Sequence, residues 1–369
     1  MDQDLGSVLD DQLLPSNKSD VFVISQSASS AGDLISDEEF NNFNIYFLQM
    51  SLSLVSSVGI VTNVMNVMVY WKHVPRYGVT STFIFLSVSD VASCVFSLLS
   101  ICCYVIQGHW PIRSVNMLAI QYAYLGYSRG CAYVISTCLT VYLSVERCFC
   151  IKFPLNVKVI LAPHRSLLIK FSIVVFGLAC FTPAWATQGL QVVFDTTTNE
   201  THLDLWLADC RREIDLFVDT FAGVVIPTVA QVVITVCAVF IINGLKSSAE
   251  FRQVASGKQI RSKLGEKTLL EDLGDKAQTI MTSKEAKAAK VVVLVAVLFF
   301  ACNVPVLLVA YTRMFITELD FGKMYYKLYN VLYTVVYASG LVNACVNIVI
   351  YYTVSAKFKS VFLSLFCKS

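Results

Sequence analysis

The sequence predicts an all-α membrane protein: a seven-transmembrane helix bundle followed by a short C-terminal amphipathic helix. Hydrophobic residues make up 56% of the chain and charged residues only 15%, whereas soluble globular chains are about 45–50% apolar and 25% charged. The apolar residues are concentrated in blocks long enough to cross a bilayer of ~30 Å. The transmembrane domain covers 46–352, with spans at 46–71, 80–106, 116–149, 167–190, 216–243, 287–313 and 325–352.

Positive charge predicts the orientation of these spans. Of the 28 Lys and Arg residues, 20 follow the first, third, fifth and seventh spans or lie at the adjoining span ends. An excess of positive charge beside membrane helices marks the cytoplasmic side. We therefore expect a multi-pass plasma-membrane protein with its N-terminus outside and its C-terminus in the cytoplasm. We expect the protein to contact membrane lipid. We expect no nucleic-acid partner.

The polar segments are consistent with this topology. Residues 1–45 are acidic and Ser-rich, which is typical of a disordered extracellular tail. Residues 244–286 form a polar, basic inner loop, and 353–369 combine aromatic residues at helical spacing with Lys, which predicts an amphipathic helix on the inner leaflet and a short tail. The Asn-x-Ser/Thr sequons at Asn17 and Asn199 both fall outside, where we predict glycosylation.

Most of the 13 cysteines lie within the apolar spans, where they are expected to behave as small buried hydrophobic residues. Cys210 lies in an outer loop, and an oxidising environment favours a disulfide there. Cys102 and Cys103 are its candidate partners, and a free or intermolecular thiol is the alternative. Cys367, near the end of the amphipathic segment, is a candidate palmitoylation site.

The first two spans each contain a deep polar residue. Asn63 lies in the middle of the first span and needs a partner inside the bundle. Asp90 is the only carboxylate deep in the first three spans. It is either a hydrogen-bonded link between helices or a cation or proton site.

The third span carries two arginines on one face. Arg129 precedes Arg147 by 18 residues, which is five helical turns or ~27 Å along the axis. If Arg147 faces the interior at the inner mouth, Arg129 faces a water-filled cavity near the outer mouth. Arg129 then either anchors an anionic group of an outside ligand, with Tyr133 and Gln107 beside it, or pairs with an outer-loop acid. The candidate acids are Asp209, Glu213 and Asp215.

An acid and a base stand side by side where the third span leaves the membrane. The Glu146 carboxylate can restrain Arg147, which stays charged. Glu285 lies at about the same depth in the sixth span, where a bridge to Arg147 would hold the two helices together. A surface contact within the local basic cluster is the alternative for Glu285. Pro154 and Leu155 follow in a candidate docking loop.

In this order, these residues resemble the rhodopsin-like (class A) family of G-protein-coupled receptors over about 46–366. Glu146-Arg147-Cys148 is similar to the family's acid–Arg–Tyr motif. The other matching signature residues are Asn63, Asp90, Pro227, Pro305, Asn347 and Tyr351. The run 149–151 and the loop at 154–155 resemble those of divergent invertebrate orphan receptors of the peptide or chemosensory type.

The resemblance implies a receptor that binds an extracellular ligand, a peptide or an acidic small molecule, and activates a heterotrimeric G protein. Arg147 would be freed from Glu146 and Glu285 as the sixth helix moves outward. The implied activation switch comprises Phe299, Asn303, Pro305, Pro227, Asn347 and Tyr351. The implied pocket for an allosteric sodium ion comprises Asp90, Ser136, Asn343 and Asn347, and no other cofactor is expected.

Several positions depart from the family pattern. Tyr122 stands where the helix-three Cys is usual, so the usual disulfide to Cys210 is unavailable. The other departures are Ile173 for the helix-four Trp, Asn303 for the toggle Trp, Ile348 for the helix-seven Pro and Thr235 for the helix-five Tyr. Leu341 stands where an opsin carries its retinal-binding Lys, which argues against a photoreceptor because a Schiff base needs an amine.

Two other classes of function remain as alternatives. In a seven-helix transporter or channel, Asp90 and Arg129 would line the path, but we find no inverted repeat and no paired broken helices. An intramembrane enzyme would need a second deep carboxylate, a metal-ligand cluster or a nucleophile–base pair to act with Asp90. The sequence provides none of these, so we do not expect an enzyme.

Overall fold

The computed structural model of the protein describes residues 34–72, 79–153, 162–196, 199–262, 283–319 and 323–366. Within this part of the chain, seven helices are long and apolar enough to cross a membrane, which confirms the predicted fold class. They are α1 Asp37–Lys72, α2 Val79–His109, α3 Met117–Lys152, α4 Pro163–Ala186, α5 Arg211–Ser247, α6 Ser283–Phe315 and α7 Tyr326–Val354. An eighth, shorter helix, α8, covers Ala356–Phe366.

The helices begin at residues that satisfy their free backbone N–H groups. Ser36 and Glu39 form a capping box at the start of α1. The Asn116 side chain accepts hydrogen bonds from two backbone N–H groups in the first turn of α3. Pro163 is the first residue of α4, where the missing N–H of proline has no cost.

Three of the long helices contain π-helical turns toward one end of the bundle. These turns are Asn44–Ser51 in α1, Gln121–Gly126 in α3 and Phe221–Val225 in α5. The turn in α5 directly precedes Pro227, whose missing N–H removes a hydrogen bond from the helix. Such turns often accompany functional sites.

The fourth helix ends at Ala186, before the predicted boundary at residue 190, because the next residues form an antiparallel hairpin. Its strands are β1 Gln188–Asp195 and β2 Glu200–Leu207. Asn199, a predicted glycosylation site, is exposed in the turn with φ of 56°, which Asn tolerates better than most residues. We call the end of the bundle that carries this hairpin the outer end, and the end that carries α8 the inner end.

Helix five extends beyond its predicted end at residue 243. Its membrane-spanning part ends at Ser247, and the regular helix Ile226–Ser262 continues beyond that residue, so the first part of the predicted inner loop is helical. Strong helix formers such as Lys, Ala, Glu, Arg and Gln dominate this extension, which explains why the helix does not stop at the end of its apolar stretch.

The third helix occupies the centre of the bundle. It packs against α2, α4, α5 and α6, while α1 packs against α2 and α7. Gly59 permits the close approach of α1, since a Cβ at this position would lie 2.6 Å from the Cys94 sulfur. Apolar side chains such as Val61, Val175 and Val232 remain exposed on the bundle's outer surface, where they suit contact with lipid.

Candidate functional site

A basic cluster of Arg129 with Tyr104, Tyr333 and Tyr337, which we call the outer pocket, lies among the outer ends of α2, α3 and α7. The Arg129 guanidinium stands 3.8 Å from the centre of the Tyr337 ring, a short cation–π contact. Tyr333 and Tyr104 also lie within electrostatic reach of this guanidinium. Three tyrosines therefore surround the cation that the sequence placed near the outer mouth.

Asp215, one of the three acids proposed as alternative partners of Arg129, pairs with a different arginine. Asp215 lies 2.7 Å from the Arg211 guanidinium and accepts a hydrogen bond from Tyr127. The other two candidate acids, Asp209 and Glu213, are exposed. Within the part of the chain that the structure describes, Arg129 is thus surrounded by aromatic groups.

Two further predicted ligand-binding residues have structural partners. Gln107 accepts a hydrogen bond from the backbone N–H of Met117 at 2.9 Å, which joins the end of α2 to the start of α3. The Tyr133 hydroxyl donates to Asn303 Oδ1 at 3.1 Å. Ligand contact by either residue remains a prediction.

Asn303 joins three helices beneath the outer pocket. Besides accepting from Tyr133, its amide donates to Gln231 Oε1 at 3.0 Å and to the Pro227 carbonyl at 3.3 Å. Phe299, one turn further inward, is buried against Ala230 and neighbouring apolar residues of α5 and α6. At the position of the toggle Trp, the protein therefore has a buried polar link among α3, α5 and α6.

A buried polar group fills the middle of the bundle around Asp90. Ser136 donates to Asp90 Oδ1 at 2.7 Å, and the Asn347 amide donates to Asp90 Oδ2 at 3.2 Å. Asn63 donates to the carbonyls of Gly59 and Ala344 at 3.0 Å each. These bonds connect α2 with α3 and α7, and α1 with α7.

The oxygen atoms around Asp90 fit a small hard cation. The Asn347 amide turns its nitrogen toward Asp90, and its oxygen is buried and accepts no hydrogen bond from the described residues. Rotation of the amide would bring that oxygen beside the carboxylate and the Ser136 hydroxyl. Carboxylate, hydroxyl and amide oxygens are the ligands that such ions prefer. Asn343, predicted as a fourth member, lines a narrow cleft with Tyr133 and other residues of α6 and α7.

The acid–arginine pair lies at the inner end of α3. Glu146 is buried and accepts a hydrogen bond from Thr82 at 3.1 Å, and it interacts electrostatically with Arg147, which is half-buried. Glu285 lies in α6, but its side chain is outside the described part of the chain. Four other predicted site residues also lie outside the described part of the chain: Asn17, Pro154, Leu155 and Cys367.

An aromatic cluster ties α8 to the inner ends of α1, α2 and α7. The Tyr351 ring lies 4.7 Å from that of Phe83 and 5.8 Å from that of Phe358, and both Tyr351 and Phe358 are fully buried. Tyr70 stacks on Phe83 at 5.1 Å. The predicted switch residue Tyr351 is therefore part of the inner core.

The structure does not join Cys210 to Cys103, so the disulfide between them stays a prediction. Cys210 is an exposed free thiol, whereas Cys103 is a free thiol buried in the helix bundle; the other candidate, Cys102, is also free. A disulfide needs Cα atoms less than about 7 Å apart and side chains that face each other. In the structure the Cys210 thiol lies on the surface and the Cys103 thiol within the packed helices, so the two thiols have different surroundings.

Arg211, the residue after Cys210, makes a non-covalent connection in the same region. Its guanidinium is buried, lies 4.8 Å from the ring of Tyr127 and 5.7 Å from that of Tyr122, and donates to the Ala184 carbonyl at 2.7 Å. Tyr122 is the residue that replaces the helix-three cysteine. Arg211 thus links the outer loop to α3 and α4 without a covalent bond.

We expect Arg211→Ala to lower the thermal unfolding midpoint of the purified protein, whereas a reducing agent leaves the midpoint unchanged. The variant loses a charged hydrogen bond and a partly buried ion pair, each worth about 1–3 kcal/mol. Arg212→Ala, at the exposed neighbouring position, is the matched control and should unfold like the wild type. Greater sensitivity to reductant than to Arg211→Ala would contradict this account.

One residue at the inner site was not singled out from the sequence. Lys170 was counted only as one of the positive charges at an inner helix end, yet its side chain is fully buried beside Glu146. The available signal was a lysine four residues inside an apolar span that begins at 167. Its burial became evident only from the packing of α2, α3 and α4.

The fold is a bundle of seven membrane helices, with an arginine among tyrosines at one end and an acid–arginine pair at the other. The family model of the seven-transmembrane receptors of the rhodopsin family matches residues 62–351. The chain belongs to this family and is a receptor rather than an enzyme. A comparison with curated proteins finds no match.

Proposed function

We propose that the protein is a plasma-membrane receptor that binds a carboxylated ligand at Arg129 from outside and activates a heterotrimeric G protein inside. The observation that carries this proposal is the Arg129 guanidinium, which lies at the outer end of α3 among tyrosines. An arginine within a membrane bundle normally has an anionic partner or lines a cavity. A carboxylate brought by a ligand supplies that partner.

The chemistry of the pocket favours an acidic group over an amine. A guanidinium presents a planar set of donors that matches a carboxylate in a bidentate pair. Tyrosines 104, 333 and 337 add hydroxyl donors and apolar ring surface around it. An amine ligand would place a second positive charge beside Arg129, with no described carboxylate there to compensate it.

The outer hairpin suits a ligand of the peptide or chemosensory type. Val192 and Phe194, two residues apart, expose apolar side chains on one face of β1. Gln188, at the start of β1, donates to the Ala123 carbonyl and so holds the hairpin against α3. A peptide whose C-terminal carboxylate reaches Arg129 can place its remaining residues on this apolar surface.

The proposed signal passes through elements that connect the two ends of α3. A ligand that moves Tyr133 changes its bond to Asn303, and Asn303 in turn holds Pro227 and Gln231 of α5. Rearrangement of this link permits α6 to move relative to α3 and α5. At the inner end, the same movement exposes Arg147 to the G protein.

The experiment that tests this function is a screen of cells that express the full chain, read by guanine-nucleotide exchange on G proteins. The library pairs each peptide acid with its C-terminal amide and each acidic small molecule with its ester. We expect the active members to be the free acids. Activation by amines or amides alone would overturn the proposed ligand class, and ion or solute flux in liposomes without G protein would favour a transporter.

We expect sodium to weaken agonist binding to the wild type and to have no such effect on Asp90→Asn. A cation held by Asp90, Ser136 and Asn347 stabilises the closed arrangement of α2, α3 and α7, and the variant removes the charge that binds it. Radioligand competition with the active acid, in sodium chloride against choline chloride, measures the effect. A wild-type affinity that is the same in both salts would exclude the site.

A further inference from the structure

The fourth helix carries a lysine where three membrane helices meet. The Lys170 side chain has 0% exposure, and its Nζ donates to the Ser81 hydroxyl of α2 at 2.5 Å. The same nitrogen lies 5.7 Å from the ring centre of Tyr142 on α3. A buried ammonium group is costly unless an opposite charge stands near it.

That opposite charge is Glu146, the acid of the inner acid–arginine pair. Glu146 and Lys170 interact electrostatically with each other, and Glu146 also interacts with Arg147. Neighbouring residues of α2 hold the two partners, since Ser81 accepts from Lys170 while Thr82 donates to Glu146 at 3.1 Å. The buried Glu146 carboxylate therefore interacts with two cations, Arg147 and Lys170.

The charge balance changes when Arg147 leaves this group. With Lys170 present, Glu146 keeps a cation within electrostatic reach and its hydrogen bond from Thr82 after Arg147 turns away. Without Lys170, the same movement would leave a buried carboxylate whose only described donor is the neutral hydroxyl of Thr82. An uncompensated buried charge is strongly unfavourable, so Arg147 would be held more tightly.

We propose that Lys170 is a positioning residue that shares Glu146 with Arg147 and thereby raises the basal activity of the receptor. The inference rests on the proposed coupling to a G protein. It assigns to α4 a part in switching, because the cation on α4 decides how firmly the carboxylate on α3 restrains the arginine beside it.

The first test compares basal nucleotide exchange per receptor at the cell surface. Lys170→Met keeps an unbranched side chain but removes the charge, and we expect exchange to fall at least about fivefold, the effect of roughly 1 kcal/mol. Lys170→Arg keeps the charge and should restore most of the activity. Lys357→Met, at an exposed lysine of α8, is the matched control and should retain wild-type exchange.

A second test does not depend on a G protein. Spectroscopic probes at the inner ends of α3 and α6 report how often the purified receptor opens. We expect Lys170→Met to shift the distance distribution toward the closed form in the wild-type background. In the Glu146→Gln background, which has no carboxylate for either cation, the same change should leave the distribution where it was.

The outcomes separate this inference from the proposed function. If no G protein responds to the wild type, the proposed coupling fails, while the probes still show whether Lys170 favours opening. Lower thermal stability of Lys170→Met with unchanged opening would make Lys170 a structural residue only and overturn the inference. If Lys170→Met does not fold, Lys170→Gln, whose neutral amide can still donate to Ser81, replaces it in both tests with the same expected results.

Discussion

Arg147→Glu is expected to abolish agonist-driven nucleotide exchange while the receptor still reaches the cell surface. The half-buried guanidinium is the group that we propose reaches the G protein, so reversal of its charge removes the contact and repels the same acceptor. If the lost contact contributes about 3 kcal/mol to the activation free energy, the rate of nucleotide exchange falls roughly a hundredfold. Surface labelling together with exchange in membranes measures both quantities.

The controls for this prediction separate charge, shape and position. Arg147→Lys keeps the charge but not the planar fork of donors, so its activity should lie between wild type and Arg147→Glu. Arg165→Glu reverses an exposed charge near the start of α4 and should signal normally. Full signalling by Arg147→Glu would contradict the assignment of Arg147 to coupling.

The second large effect is expected at the outer pocket. Arg129→Ala should weaken the potency of a carboxylated agonist about thirtyfold, because a charge-assisted pair of about 2 kcal/mol is lost. The amide of the same agonist, which lacks the charge, should be affected much less. Concentration–response curves for the acid and the amide on both receptors provide the comparison.

A matched variant exists for this test as well. Arg113 lies at the outer end with its side chain 89% exposed and only a long contact of 4.0 Å to Glu200. Arg113→Ala should therefore leave the potency of the acid unchanged. A shift of less than about threefold for Arg129→Ala would show that Arg129 is not the anchor, and the structural role of its tyrosine contacts would then be sufficient.

Several features of the site followed from residue spacing. The 18-residue spacing of Arg129 and Arg147 predicts that both lie on one face of α3, and the resemblance implied that Ser136 lies near Asp90, to which it donates a hydrogen bond. The shared face of the two arginines depends only on the pitch of a single helix. Arg129 has an aromatic rather than an acidic environment because α7, which is distant in the sequence, brings Tyr337 against it.

Other features required the packed bundle. The Cys210 disulfide was expected from the redox environment alone, and the structure has Arg211 in contact with Tyr122 instead. Likewise, the sequence indicates Asn303 as an altered switch residue but not its partners, which are Tyr133 of α3 and Gln231 of α5. Each contact joins residues far apart in the chain, and no local pattern encodes it.

The sequence by itself determined that the chain forms seven membrane helices. In lipid, the backbone N–H and C=O groups must bond to each other because no water is present, so a long apolar segment forms a helix. Only the tertiary structure decided which polar side chains meet inside the bundle, among them Lys170 with Glu146 and Ser136 with Asp90. Those pairings depend on how helices rotate and cross, and that is set by the fit of many side chains together rather than by the composition of any one helix.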